Sequence, residues 1–227
     1  MDKKSPGRTL GGERKGMRFH TEILTREQAE ALSAAGPALT DMGFYLGGGT
    51  AIALYLGHRR SVDLDWFRSR FPDEPLLLAE SIRSAGVPLE LTDVAPGTLH
   101  GAIKGVDVSL FGYDYPVLAP AMSVAEIHCE IASARDLAAM KLSAMTQRGS
   151  RKDFLDIYAL GTRCFSIAHM LDSYCQKFGI RDAAHLLYAL TYFADADAEP
   201  MPVLLWDDLS WEDVKETIRN WVREIMG

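Results

Sequence analysis

Polar and apolar positions along this chain follow two periods, and the change from one to the other divides it. Behind Thr25, with Gln28 three residues on as a capping partner, Ala29, Leu32 and Leu39 recur at helical spacing and predict a helix ending near Met42 and Gly43. Phe44, Tyr45 and Leu46 form a short apolar strand that runs into Gly47-Gly48-Gly49-Thr50, and residues 51–56 read as a helix stopped by Gly57. Residues 61–67 (SVDLDWF) alternate with period two, the mark of a strand whose two faces differ. A helix over 74–85 follows, then strands over 87–94, 98–104 and 106–113, the first two joined by a Pro96-Gly97 turn. From Ser133 the period is helical almost throughout, over 133–148, 151–161, 166–178, 182–193 and 211–225. The pattern predicts an α+β fold, with a mixed sheet and flanking helices over 21–120 and a helical domain over 121–227.

Composition narrows the function classes. With 227 residues, 48% of them hydrophobic, the chain has material for a substantial core. Lys+Arg of 24 against Asp+Glu of 31 gives a net charge of −7, which excludes broad binding along a nucleic-acid duplex. The charge is uneven: residues 1–20 carry six basic and two acidic side chains and read as a flexible basic leader without a signal-peptide pattern. No run of 18 apolar residues predicts a membrane span. Cys129, Cys164 and Cys175 lie in no metal-ligand spacing and are expected to be reduced thiols of a cytoplasmic protein, and the six histidines show no zinc spacing either. Seven acids and no Lys or Arg between Thr191 and Val214, broken by Pro200 and Pro202, predict a solvated connection.

The stretch from Gly48 to Asp65 carries the chemistry. A glycine turn feeding a helix start presents free backbone N–H groups and the positive end of the helix dipole, a seat for phosphate at Gly48, Gly49 and Thr50. On a strand, Asp63 and Asp65 face the same way while Leu64 points to the core. Two neighbouring carboxylates repel unless a cation lies between them, and Mg²⁺ takes hard oxygen ligands of this kind. Asp107, between Val106 and Val108, adds a third carboxylate if its strand pairs beside the first; otherwise it is an exposed strand residue. In the helix over 133–148, Leu137, Met140, Leu142 and Met145 form an apolar stripe with Lys141 and Arg148 in its middle, so each cation should meet a carboxylate, a phosphate or a cleft rim. Asp153 falls on the apolar side of the next helix and also fits a capping box with Ser150, whereas Lys152 and Asp156 are spaced as an ordinary surface pair.

These residues carry a resemblance. Gly48-Gly49-Thr50, Asp63-x-Asp65 and the Asp107 strand resemble the DNA polymerase beta nucleotidyltransferase superfamily, and FYLGGGTAIALYLGHRRSVDLDWF is similar to the nucleotidyltransferase toxins AbiEii/AbiGii. The similarity continues through DLAAMKLSAMTQRGSRKDFLDIYAL and PMPVLLWDDLSWEDVKETI, over about residues 22–225. It implies a polymerase-beta-like core followed by a helical domain, and an enzyme that moves a nucleoside monophosphate from an NTP to an acceptor hydroxyl with Mg²⁺ and releases pyrophosphate. On that pattern Asp63, Asp65 and Asp107 hold metal, with Asp107 alternatively acting as base, and the phosphates lie against Gly48, Gly49 and Thr50. Lys141, with Arg59 or Arg60, neutralises the phosphates, and Asp153 or Asp156 completes the site with Lys141. The resemblance further implies a tRNA acceptor and a growth-inhibiting toxin paired with an antitoxin. A transferase modifying a small, antibiotic-like molecule and an inactive, binding-only protein are the alternatives.

Overall fold

In the computed structural model, which describes residues 18–207 and 209–227, one seven-stranded sheet organises the described chain. In chain order the elements are α1 (Arg26–Asp41), β1 (Tyr45–Gly47), α2 (Gly48–Leu56), β2 (Leu64–Arg68), α3 (Pro75–Ser84), β3 (Leu89–Ala95), β4 (Thr98–Ile103), β5 (Val106–Gly112), β6 (Met122–Val124) and β7 (Cys129–Ile131), then α4 (Ala134–Gln147), α5 (Arg151–Arg163), α6 (Ile167–Phe178), α7 (Ala184–Ala189), α8 (Ala194–Ala198) and α9 (Trp211–Met226). The strand order is β3-β4-β5-β2-β1-β7-β6. The β3-β4-β5 meander is antiparallel, β5 lies parallel to β2, β2 antiparallel to β1, and β1 parallel to β7. This is the mixed sheet with flanking helices that the pattern predicts, with a helical C-terminal part. The basic leader expected over residues 1–20 lies almost wholly outside the described residues.

Four differences from the pattern have physical causes. The strand expected over 61–67 begins only at Leu64, because the preceding carbonyls are already taken: Gln28 Nε2 donates to the carbonyls of Ser61 and Val62 at 2.9 and 3.1 Å, and Thr50 Oγ1 donates to that of Asp63 at 2.5 Å. Gln28 does this from the capping box it forms with Thr25, so the start of α1 also shapes the approach to β2. The helix expected from residue 51 starts three residues earlier, at Gly48. The sheet runs past residue 120, where the helical half was expected to start: β6 and β7 come from a stretch too short and irregular to show a period, and the long helices begin at Ala134.

Finally, the acidic stretch near the C-terminus is a strap rather than a solvated connection. It holds α8, Asp197 accepts from Trp211 Nε1 at 2.6 Å and Lys215 Nζ at 3.0 Å, and Glu199 accepts from the Arg151 backbone at 2.8 Å. Further on, Arg60 N donates to Val203 O and Leu205 N to His58 O, both at 2.9 Å, binding residues 203–205 to the loop behind α2. Among the described residues no helix is long and apolar enough to cross a membrane.

Candidate functional site

The β1-to-α2 turn is built by glycines. Gly48 has φ +64°, in the left-handed region, and a Cβ there would collide with the Asp65 carboxylate. A Cβ on Gly49 would come within 2.6 Å of the Arg59 guanidinium. No side chain caps the start of α2, so its first N–H groups and the positive end of the helix face the space above Asp65. Thr50 is different: its side chain is buried and its hydroxyl holds the Asp63 carbonyl, so it positions the aspartate strand from beneath. A Gly48→Ala variant is expected to lose about 1–2 kcal/mol from the left-handed backbone alone. It should also push Asp65 aside, read as a lower Tm together with weakened nucleotide binding in an NTP titration.

On β2, Asp65 and Phe67 face away from the fully buried Leu64 and Trp66. Asp65 pairs in register with Ser109 of the parallel β5, which puts Asp107, two residues earlier, on the same face. Asp107 lies at the exposed end of that face, one residue before the first β2–β5 pair, Leu64 with Val108. Asp65 and Asp107 therefore share a face, Asp63 stands just ahead of β2, and of the three only Asp65 lines the cavity described next. Among the described residues no three His, Cys, Asp or Glu side chains gather tightly enough to hold a metal ion. Burial and, next, the neighbouring Asp63 push the Asp65 carboxyl up from its ordinary value. No cation forms an ion pair with Asp65 among the described residues, so a cation placed beside it would stabilise its anionic form.

Opposite Asp65 stands α4. Between it and the sheet lies a cavity of about 340 Å³, within the range of small-ligand sites. Gly48, Gly49, Asp65, Lys141 and Arg148 line one part of it; Phe67, Phe111, Tyr113 and Met140 line another. Phe67 stacks on Phe111 with ring centres 5.2 Å apart, and Tyr113 meets Phe67 edge-on at 5.4 Å. One cavity thus combines anion-binding groups, a half-buried carboxylate and an aromatic wall.

Behind it lies a charge cluster that only partly follows from the spacing. Lys141 Nζ sits 2.9 Å from Asp153 Oδ1 and 2.8 Å from Asp156 Oδ2. Burial alone would depress this lysine, but Asp156 and Asp153 outweigh that and raise it, so it stays an ammonium with one donor left for the cleft. Arg148 clasps Asp153 through Nε at 2.9 Å and Nη2 at 3.1 Å, and Ser150 and Asp153 also form the capping box expected of them.

The surface pair expected of Lys152 and Asp156 is corrected. Asp156 is fully buried and accepts from Arg59 Nε at 2.7 Å, Arg59 Nη2 at 2.8 Å and His58 Nε2 at 2.7 Å. Burial would raise Asp156, and Arg59 and then Lys141 hold it well below the usual carboxylate range. Burial lowers His58, so it is neutral and donates through Nε2. Arg59 is therefore committed to Asp156, while Arg60 is exposed and lies outside the cavity wall. Of this group only His58 has no place in the sequence reading: Arg59 is expected at the phosphates and Asp156 as the alternative to Asp153 beside Lys141, and Lys141 meets both aspartates. Asp156 falls about 40° from Leu160 at ~100° per residue, on the apolar side of α5, which a wheel count would have flagged. His58 left no signal, since one histidine has no spacing to read.

Residues 30–220 match the family described as "Nucleotidyl transferase AbiEii toxin, Type IV TA system". The chain is 31% identical over 211 residues to an uncharacterised protein, aq_aa25, of Aquifex aeolicus, covering 89% of this chain and 98% of the relative. Among solved structures, JHP933 from Helicobacter pylori is similar with a TM-score of 0.52 at 17% identity, covering 89% of this chain and 93% of that one. MenT4, the nucleotidyltransferase toxin Rv2826c from Mycobacterium tuberculosis, is similar with a TM-score of 0.53 at 11% identity, covering 88% and 82%. At those identities the two structures speak to the fold.

Proposed function

The chain belongs to the AbiEii nucleotidyltransferase toxin family, a family of toxin–antitoxin systems, and from that premise we propose that it transfers a nucleoside monophosphate from an NTP to the hydroxyl of a tRNA, with Mg²⁺. It is a nucleotidyltransferase by membership, and membership implies an antitoxin partner. The observation that carries the reading is the uncapped glycine start of α2 facing the same cavity as Asp65 and Lys141.

Each chain residue has a role in this proposal. The backbone N–H groups at Gly48 and Gly49 and the ammonium of Lys141 receive the triphosphate, where helix dipole and fixed cation both favour negative charge. Phe67, Phe111 and Tyr113 offer ring faces and edges to the base. Asp65 and Asp63 supply the hard oxygen donors for the divalent cation, with Asp107 on the same face. Bound there, the cation would supply positive charge to offset the negative charge that develops in transfer. Asp153 and Asp156 fix Lys141 before substrate arrives, so little reorganisation is needed when the phosphates enter. The acceptor oxygen bonds to the α-phosphorus, the α–β bridge breaks, pyrophosphate leaves, and the hydroxyl proton passes to a carboxylate or to solvent.

The test is incubation with each α-labelled NTP, Mg²⁺ and total tRNA. Label on tRNA that disappears with EDTA is expected. Label on a small acceptor instead would replace the tRNA proposal, and the absence of both NTP binding and transfer to any acceptor would overturn the enzyme reading of this site.

A further inference from the structure

We propose that a groove beside the cleft seats the acceptor as a single-stranded nucleic-acid end, with bases stacked on Tyr188 and Tyr192 and a backbone phosphate against Arg148. The proposal rests on the nucleotidyl transfer reading of the cleft. A transfer needs two substrates to meet, and this groove, of about 280 Å³, shares Gln147 and Arg148 with the cleft as a common wall.

Two tyrosine rings line it in a manner that a folded core does not require. Tyr188 is 71% exposed and Tyr192 47% exposed, and their rings lie 6.3 Å apart and within 16° of parallel. The turn after α7 sets them side by side: Thr191 N donates to Tyr188 O at 3.0 Å and Tyr192 N to Ala189 O at 3.2 Å. Exposed rings of this kind offer stacking faces to any nucleobase. Arg148 has the complementary property. Its Nε and Nη2 are anchored on Asp153, its side chain is 55% exposed, and Nη1 has no protein partner among the described residues, so one edge of the guanidinium is fixed and another is open to a phosphate. Asp195 also lines the groove; it repels phosphate and can accept from the amino edge of a base, which leaves Arg148 as the phosphate contact. A net charge of −7 argues for such local capture by stacking over electrostatic tracking along a duplex.

The test measures binding directly. Fluorescence anisotropy with labelled RNA and DNA decanucleotides and a blunt duplex would compare the full chain with a Tyr188→Ala/Tyr192→Ala pair and a Tyr188→Phe/Tyr192→Phe pair, with NTP binding followed in parallel. Single strands should bind in preference to the duplex, and the alanine pair should weaken them about 10- to 100-fold. The phenylalanine pair should stay within about threefold, since the ring faces remain. NTP binding and Tm should not change in either. A preference for RNA over DNA would add the 2′-hydroxyl to what is recognised. Duplex preference, no single-strand binding, or an alanine pair that binds like the parent would overturn the proposal. Single-strand binding that depends on the tyrosines without any NTP binding would overturn the cleft reading instead and leave the groove standing.

Discussion

An Asp65→Asn variant is expected to lose about a thousandfold or more in transfer rate while becoming more stable than the parent in divalent-free buffer. The rate loss follows from removing a donor to the cation that neutralises phosphate charge, an effect worth several kcal/mol. The stability gain follows from the environment: burial and then Asp63 raise the Asp65 carboxyl, so its anion destabilises the folded state. The raised value fixes the sign. The penalty is fully present at pH values above the raised folded pKa, and it disappears as pH falls towards the ordinary carboxylate range of about 4. Thermal melts with EDTA should therefore favour the asparagine variant at pH 7, with each kcal/mol of relief worth about 2–4 °C, and the gap should narrow on acidification. A variant that loses stability along with activity would show that Asp65 serves the fold and not the site.

Asp156→Asn should have the opposite signature. Its removal leaves Arg59 and Lys141 in the interior with only Asp153 to balance them, next to a neutral His58. Breaking a buried pair from one side costs about 3–5 kcal/mol, or roughly 6–20 °C in Tm. Because Asp156 is held well below the usual range, its contribution is present above about pH 4 and is lost as pH falls through the depressed folded value. Urea melts between pH 7 and pH 3 should show the full difference between parent and variant down to about pH 4 and a difference that begins to narrow below it. Lys152→Ala, at an exposed position, should stay within about 0.5 kcal/mol of the parent. Equal effects of the two substitutions would return Asp156 to a surface pair with Lys152.

Local rules made most of the frame legible. The Thr25–Gln28 box, the glycine turn and the alternation through Leu64, Asp65 and Trp66 are short-range features, and each stands near its expected place. The cations at Lys141 and Arg148 were readable because charge on an apolar stripe demands a partner, and carboxylates are what they meet. What a single sequence hid is non-local. Gln28 and Thr50 shorten β2 by hydrogen bonds to its approach, β6 and β7 are three-residue strands defined by pairing, and His58 and Arg59 acquire their role only when α5 delivers Asp156. Asp107 shows the limit from the other side: alternation gives its face correctly, but how far it stands from Asp63 and Asp65 depends on where the parallel strands begin to pair.

The reach of these bonds also sets a clock. Arg59 finds Asp156 across 97 residues, and the indole of Trp206 finds the carbonyl of Leu56 across 150. At a synthesis rate of about 5–20 residues per second, roughly 5–20 s separate the emergence of Arg59 from that of its partner. During that time Arg59, and later Lys141, exist as polypeptide without the Asp156 carboxylate that pairs with both. The charge cluster behind the cavity therefore closes only after α5 has been translated, so the final packing of the first half waits on the second.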